Sequence, residues 1–166
     1  MLVENLLPVA RKRLVIIADN APLIEAAILL HAGTDIVVVC DSVGLLSGVI
    51  TKTDIVRQII SCQGAACITA ASFVMTRDVI VCGLDDLLQN VWSKMKNRGL
   101  KNIPINDQDS RPVGVLNARD ALQALLEEVE NEESLLRDYV MGHRVPLIAR
   151  ALSRSPTPYL SKSRHA

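Results

Sequence analysis

The pattern of apolar and polar positions occurs twice along the chain. Residues 35–54 align without gaps with residues 101–120 at an offset of 66, so that Gly48 matches Gly114 and Asp54 matches Asp120. Further upstream an offset of 65 fits better, which indicates one inserted residue in a loop of the second copy. Self-similarity at a fixed spacing predicts that one structural unit is built twice.

Each copy shows the same order of elements. An apolar stretch, 14–17 or 79–82, predicts a first strand, and the aspartates and asparagine that follow it at 19–20 or 85–86 are suited to cap a helix. The helix is predicted by apolar residues at i, i+3, i+4 and i+7, which are Leu23, Ala26, Ala27 and Leu30 in the first copy and Leu88, Val91, Trp92 and Met95 in the second. Two further strands follow at 36–40 and 45–50, or at 103–105 and 112–116, before a second helix begins near Thr51 or Asn117. The predicted fold class is therefore α/β, with two β-α-β-β-α repeats packed about a pseudo-two-fold axis.

The repeats set the predicted domain boundaries. The first repeat covers 1–62, a small, Gly-containing linker covers 63–72, and the second repeat covers 73–141 together with an extended helix. Residues 142–166 carry five Lys or Arg residues and no acid, and they are predicted to form a mobile basic tail.

The extended helix has an apolar face that the repeat itself does not account for. Its members are Leu122, Leu126, Val129, Leu136 and Val140, with Glu133 interrupting the face. We expect a second copy of the chain to cover this face in a homodimer, and the competing interpretation is that the helix folds back on its own module.

Composition excludes several classes of function. Aromatic residues are 2% of the chain, which is too few for the stacking platforms of single-stranded nucleic-acid binders. The formal net charge is +0, so no basic field attracts nucleic acid or an anionic membrane. No apolar run reaches the roughly 18–20 residues of a membrane span, and the first residues do not resemble a signal peptide. We therefore expect a cytoplasmic protein.

The four cysteines do not indicate a metal site. Cys40 and Cys82 lie inside apolar stretches and are predicted to be core residues. Cys62 and Cys67 have a C-x4-C spacing without a second Cys or His pair, so inert thiols are expected, with a redox pair as the alternative.

The residues that suggest binding chemistry lie where the last strand of each copy meets the following helix. Thr51 and Asn117 are predicted to cap these helices, with Asp54 and Asp120 at the third helical position. The first N–H groups of a helix and the positive end of its dipole form a potential phosphate site, and a nearby carboxylate can accept from ribose hydroxyls. The alternative is a capping box that stabilises the helix start and binds nothing.

These motifs, in this order, resemble a tandem pair of CBS domains, the cystathionine-β-synthase type regulatory module. The resemblance covers roughly residues 2–126. It rests on the segment 74–79 that leads into the second repeat, the strand 102–105 and the two Gly…Asp segments 48–54 and 114–120. It implies that two copies pack through their sheets and that the clefts between them bind adenosine compounds such as AMP, ADP, ATP or S-adenosylmethionine, and sometimes NAD.

The resemblance also assigns roles to individual residues. Asp54 and Asp120 match the ribose-binding acid, and Thr51 matches the phosphate-binding hydroxyl, which Asn117 replaces in the second copy. Lys52 and Arg119 are candidate phosphate contacts. The candidate base-contacting residues, which core packing would explain equally well, are Ile16, Ile17 and Val38 in the first copy and Ile80, Cys82 and Pro104 in the second.

The predicted function is a non-catalytic regulatory module that binds an adenine nucleotide as a regulatory ligand, requires no cofactor and acts in trans on a separate protein. No set of nucleophile, base and acid has a suggestive spacing. The alternative is an interaction or oligomerisation module whose clefts are empty.

Overall fold

The chain folds as two copies of one α/β arrangement, and the computed structural model describes residues 1–61 and 68–142. The strands are β1 Ile16–Ala18, β2 Val37–Cys40, β3 Leu46–Ile50, β4 Cys82–Gly83, β5 Asn102–Asn106 and β6 Pro112–Asn117. The helices are α1 Leu7–Lys12, α2 Leu23–His31, α3 Lys52–Ser61, α4 Ala71–Val74, α5 Leu88–Arg98 and α6 Ala118–Gly142, and a short 3-10 helix covers Val3–Leu6. The predicted α/β class and repeated β-α-β-β-α order are confirmed.

Two predicted segments lie partly outside the described residues. The proposed linker 63–72 includes residues 63–67, for which no structure is described. Its last two residues form the first part of α4. Cys62, Cys67 and the proposed basic tail from residue 143 onward are outside the described residues as well.

Each repeat contains a three-stranded sheet of the same design. The orders are β1-β2-β3 and β4-β5-β6, with the first pair parallel and the second antiparallel in both sheets. Ile17 pairs with Val39 in the first sheet, and Cys82 pairs with Ile105 at the matching position of the second. A register shift occurs after Val39 and again after Ile105. The repeat seen in the sequence is thus reproduced down to the irregularities of the strands.

The first strand of each sheet is shorter and later than the apolar stretch predicted. β1 begins at Ile16 rather than Leu14, and β4 contains two residues where four were expected. The apolar residues before the strands serve a different purpose: Leu14 and Val79 pack against a core between the sheets, and Ile80 packs against the core of the second repeat.

The predicted caps of α2 and α5 are wrong. Pro22 and Leu87 occupy the cap positions, and neither makes a side-chain capping bond. Backbone groups of distant segments pair there instead, since the Leu23 N–H donates to the Thr69 carbonyl at 2.8 Å and the Leu88 N–H donates to the Met1 carbonyl at 3.1 Å. These long-range bonds satisfy the helix start, so no Asp or Asn side chain is needed.

Three buried clusters hold residues 1–126 together. One packs α2 against β2 and contains Val37, Val39 and Ile50. A second does the same for the other repeat, with Ile103, Ile105 and Leu116 among its members. The third lies between the two sheets and contains Ile36, Val38, Cys40, Val49 and Val115. Alternate residues of β2 therefore face the helices and the other repeat, as the two-residue period of a strand requires.

Residues 3–13 precede the first sheet and residues 71–79 precede the second, and we call these the lead-in segments. Each lead-in segment packs against the other repeat. Val3 and Ala10, which precede the first repeat's sheet, are buried in the core of the second repeat. Ala71 and Met75, which precede the second sheet, are buried in the core of the first. Two glycines make the exchange possible: a Cβ on Gly48 would lie 2.7 Å from the Met75 Sδ, and one on Gly114 would lie 3.0 Å from the Ala10 Cβ.

The last helix, α6, continues well beyond the second repeat. It ends at Gly142, close to the predicted end at Met141. Residues 1–126 form one compact unit, and the part of the helix from Glu127 belongs to a second. Within residues 1–61 and 68–142, no helix combines the length and apolar character needed to cross a bilayer.

Candidate functional site

A cleft of about 860 Å³ opens between the two repeats. The first repeat contributes the start of α3, and the second contributes the lead-in to β4 and the turn between α5 and β5. Its lining residues are Asp35, Ile36, Val49, Thr51, Lys52, Thr53, Asp54, Arg57, Thr76, Asp78, Val79, Ile80, Arg98, Gly99, Leu100, Lys101, Asn102, Pro104 and Asn117. We call this space the main cleft, and its volume lies in the range of about 300–1,000 Å³ that is typical of small-molecule sites.

Thr51 and Asp54 are joined by two hydrogen bonds at the start of α3. The Thr51 backbone N–H donates to the Asp54 Oδ2 at 2.8 Å, and the Thr51 hydroxyl donates to the same oxygen at 2.9 Å. The carboxylate at the third helical position thus satisfies the backbone before the helix, as in one half of a capping box. Asp54 has a structural role whether or not a ligand binds.

The other carboxylate oxygen of Asp54 faces donors that are easier to displace. Its Oδ1 accepts from the Arg57 Nη1 at 3.2 Å and from the Thr76 hydroxyl at 3.3 Å. Asp54 is 5% exposed, but the Arg57 side chain is 69% exposed and can move away without leaving a buried group unpaired. This oxygen can therefore exchange Arg57 for a hydroxyl of a bound molecule.

The rim of the main cleft carries both charges, with cations in excess. The basic lining residues are Lys52, Arg57, Arg98 and Lys101, and the acidic ones are Asp35, Asp54 and Asp78. Asp54 is already paired with Arg57, so three basic and two acidic lining residues remain. Of these, Lys52 lies in the first turn of α3, where the helix dipole is positive. This arrangement favours an anionic group beside Thr51.

Apolar residues form the inner wall of the same cleft. Ile36 and Val49 come from the first repeat, and Ile80, Leu100 and Pro104 come from the second. This wall offers apolar surface against which a flat ring can pack.

Six of the twelve predicted binding residues line the main cleft: Thr51, Lys52, Asp54, Ile80, Pro104 and Asn117. The grouping differs from the one expected. Ile80 and Pro104 of the second copy lie with Thr51 and Asp54 of the first, because the lead-in segments are exchanged between the repeats. Both copies therefore contribute polar and apolar residues to this one cleft.

Four predicted base-contacting residues lie outside this lining. Ile17 and Cys82 are buried in the two helix-facing cores, and Val38 is fully buried between the sheets. Ile16 points the other way along β1 and is 47% exposed. Strand alternation explains the difference, because neighbouring residues of one strand face opposite sides.

The predicted second site has a different geometry. Asp120 forms a bidentate ion pair with Arg13, with distances of 2.9 Å from Nε to Oδ2 and 3.1 Å from Nη2 to Oδ1. The Asn117 side chain donates to the Asn102 Oδ1 at 2.9 Å, and its own Oδ1 accepts from the backbone N–H of the exposed Arg119. Beside these residues lies a small cleft of about 190 Å³, the second cleft, lined by residues that include Arg13, Asp35 and Asn102.

Sequence reasoning missed the side chains that reach the main cleft from the second repeat. Thr76 and Asp78 lie in the lead-in, and Arg98 and Lys101 flank the turn before β5. The signal for Thr76 and Asp78 was present in the lead-in 74–79, but the exchange that brings it to Asp54 is a tertiary feature. Arg57 could have been found from its i, i+3 spacing to Asp54.

The described cysteines are core residues, as predicted. Burial raises the pKa of the Cys82 thiol to about 12, and the nearby Asp86 carboxylate adds to the rise. Burial also raises the pKa of Cys40, again with an aspartate, Asp41, adding to it. Among residues 1–61 and 68–142, no three His, Cys, Asp or Glu residues are placed to hold a metal ion.

Comparison with solved structures shows the same architecture in other proteins. The chain is 25% identical to a CBS-domain containing protein from Agrobacterium tumefaciens, with a TM-score of 0.63 over 74% of this chain and 92% of that one. It is 25% identical to the CBS domain pair of protein MJ0100, solved with 5′-methylthioadenosine and S-adenosyl-L-methionine, with a TM-score of 0.61 over 77% and 97%. The cytosolic domain of the Mg²⁺ channel MgtE, solved with ATP, shares the fold at 21% identity and a TM-score of 0.58, over 68% of this chain and 45% of that one.

Comparison of sequences identifies the repeats themselves. No curated protein matches the chain significantly. A family model of the CBS domain matches residues 3–61 and again residues 70–127, which together include both sheets and the start of α6. The chain therefore belongs to the CBS domain family, as two tandem CBS domains.

Proposed function

We propose that this chain is a regulatory module that binds an adenosine-containing nucleotide in the main cleft and transmits the binding state to a separate protein. The observation that carries the proposal is the cleft itself, which combines the polar start of α3 with an apolar wall to which both repeats contribute. The related CBS pair that binds 5′-methylthioadenosine and S-adenosyl-L-methionine supports the adenosine part of the proposal.

The proposed orientation follows from the chemistry of the lining. The ribose hydroxyls donate to the Asp54 Oδ1 after Arg57 moves away, and the base packs against Ile80 and Pro104. The phosphates lie at the start of α3 beside Thr51, within reach of the basic rim. The basic lining residues favour a ligand with several phosphates, so ATP and ADP are preferred to AMP.

Thermal unfolding with and without each of AMP, ATP, NAD and S-adenosylmethionine tests this function. A ligand at 100 times its dissociation constant should add about 2.7 kcal/mol to the free energy of unfolding. Inorganic tripolyphosphate is the control for simple anion binding to the basic rim. Stabilisation by ATP but not by tripolyphosphate supports the proposal, whereas no stabilisation by any of the four at millimolar concentration overturns it and leaves an interaction module with empty clefts.

We propose in addition that the module acts as a homodimer to which α6 contributes. Val129, Leu136 and Val140 lie on one face of this helix, and each is more than half exposed in the single chain. Apolar residues repeated on one face of a long helix are typical of a surface that is buried on association. A second copy of the same helix is the proposed occupant because closed two-fold assemblies are the commonest solution for soluble oligomers.

A further inference from the structure

The two clefts differ in the charged residue that each lead-in segment contributes to the lining. Arg13, which follows α1, corresponds to Asp78 at the offset of 65 that relates the lead-in segments. The Arg13 guanidinium donates to both carboxylate oxygens of Asp120. Asp78, which is itself an acid, cannot form such an ion pair with Asp54. The same fold therefore places a cation in one cleft where it places an anion in the other.

The ion pair beside the second cleft has the geometry of a strong contact. Both guanidinium–carboxylate distances, 2.9 and 3.1 Å, are those of good hydrogen bonds, and the two parallel bonds use the planar fork of arginine. Arg13 is also well supported, because the preceding α1 packs against β6 with Ala10 close to Gly114. Its guanidinium satisfies the two oxygens that a pair of ribose hydroxyls would otherwise use.

The space left beside this ion pair is small. The second cleft has about 190 Å³, against about 860 Å³ for the main cleft, and Arg13 itself is part of its lining. A volume below about 300 Å³ does not enclose a nucleotide-sized ligand.

We propose that Arg13 occupies the second cleft as an internal substitute for a ligand, so that each chain binds one nucleotide, and that removing the Arg13 side chain opens a second nucleotide site on Asp120. The ligand class in this inference rests on the proposed function. Arg13 then sets the number of nucleotides bound per chain, because Asp120 can contact a nucleotide only when the Arg13 side chain is absent.

The two clefts also share part of their lining. Asp35, Ile36 and Asn102 line both. Asn102 is hydrogen-bonded to Asn117, which lies in the main cleft and immediately precedes the helix that carries Asp120.

Isothermal titration calorimetry with ATP tests the proposal through its stoichiometry. We expect one site per chain in the wild type, two in Arg13→Ala, and one again in the double variant Arg13→Ala/Asp120→Ala. Lys12→Ala is the matched control, since Lys12 is the adjacent cation lining the same cleft, and it should keep one site. Two sites in the wild type, or one site in both the wild type and Arg13→Ala, would overturn the proposal.

A second measurement keeps this inference separate from the proposed function. If the wild type binds no ATP, the proposed function fails, but an Arg13→Ala variant that gains one site would still support the substitution, and one that gains none would overturn it. Urea unfolding of Arg13→Ala, Asp120→Ala and the double variant tests the ion pair without any ligand. The double variant should lose no more than the larger single loss in urea midpoint, and fully additive losses would show that the pair does not form.

Discussion

Asp54 and Asp120 occupy matching positions at the start of α3 and α6, yet different donors surround the two carboxylates. Asp54 accepts from Thr51, Arg57 and Thr76, and it borders a large cleft. Asp120 accepts from both donors of the Arg13 fork. Because Thr76 and Arg13 come from the lead-in segments, the availability of each aspartate is decided by the segment that crosses from the other repeat.

The first prediction concerns the ribose contact of Asp54. Asp54→Ala should weaken ATP binding in the main cleft by about 1.5–3 kcal/mol, or roughly 10- to 150-fold, because a hydrogen bond to a charged group is lost. Calorimetry on folded protein measures this, with folding checked by near-UV circular dichroism because Asp54 also supports the start of α3.

Asp120→Ala is the matched control for this prediction. It removes the equivalent carboxylate without touching the lining of the main cleft, so the affinity for ATP there should stay within about twofold. Equal affinity for the wild type and both variants would assign Asp54 to helix capping alone.

At the scale of the elements, the lead-in segments determine how the two sheets meet. The backbone of Thr76 pairs with Val49 of β3 through two hydrogen bonds of 3.0 and 2.9 Å. This pairing places the Thr76 hydroxyl beside Asp54. It also places residues 78–80 along the edge of the main cleft. The close approach requires glycine at position 48, where a Cβ would also lie 2.7 Å from the Thr76 carbonyl oxygen.

The second prediction tests this approach. Gly48→Ala should lower the free energy of unfolding by about 1–3 kcal/mol, because the added methyl group meets a backbone oxygen that cannot simply rotate away. It should also weaken nucleotide binding by displacing Thr76. Urea unfolding gives the first effect and ATP titration gives the second.

Gly83→Ala provides a control at a glycine in the other sheet. A Cβ there meets no atom within 4 Å, so the substitution should change stability by less than about 0.5 kcal/mol. A Gly48→Ala protein as stable as Gly83→Ala would contradict the close packing of the lead-in against β3.

At the scale of the whole molecule, residues 1–126 behave as one interlocked unit. Each repeat completes the core of the other, with Val3 and Ala10 in one direction and Ala71 and Met75 in the other. A repeat separated from its partner's lead-in would expose part of its core, so the two repeats should unfold together rather than one after the other.

The third prediction concerns assembly. The full chain should sediment as a dimer at micromolar concentration, and a truncation that ends at Leu126 should dissociate more readily, because it lacks the exposed apolar face of α6 from Val129 onward. Analytical ultracentrifugation over a concentration series measures both.

The double variant Leu136→Lys/Val140→Lys in the full chain is the control for loss of length, since it places two charges on the apolar face and retains the helix. It should weaken the dimer as the truncation does. A monomeric full chain would refute the dimer. A truncation that dimerises as tightly as the full chain would show that α6 does not contribute to dimerisation.

The local features of this fold could be predicted from the sequence because they depend on neighbouring residues. The helices α2 and α5 follow from apolar residues at helical spacing, and the core positions of Cys40 and Cys82 follow from their apolar surroundings. The offset between the copies also identified Asp54 and Asp120 as equivalent. Each of these inferences uses contacts within a few residues or a repeat that can be read along the chain.

The sequence by itself therefore determined the repeat, the order of its elements and the family. The tertiary structure decided which residues share a cleft and which aspartate is already paired. Arg13 and Asp120 are 107 residues apart, and Thr76 reaches Asp54 only because the lead-in segments are exchanged between the repeats. Such pairings depend on how two separately predictable units pack, and neither periodicity nor capping signals carry that information. The same reason explains the wrong caps at α2 and α5, whose helix starts are satisfied by backbone groups of distant segments.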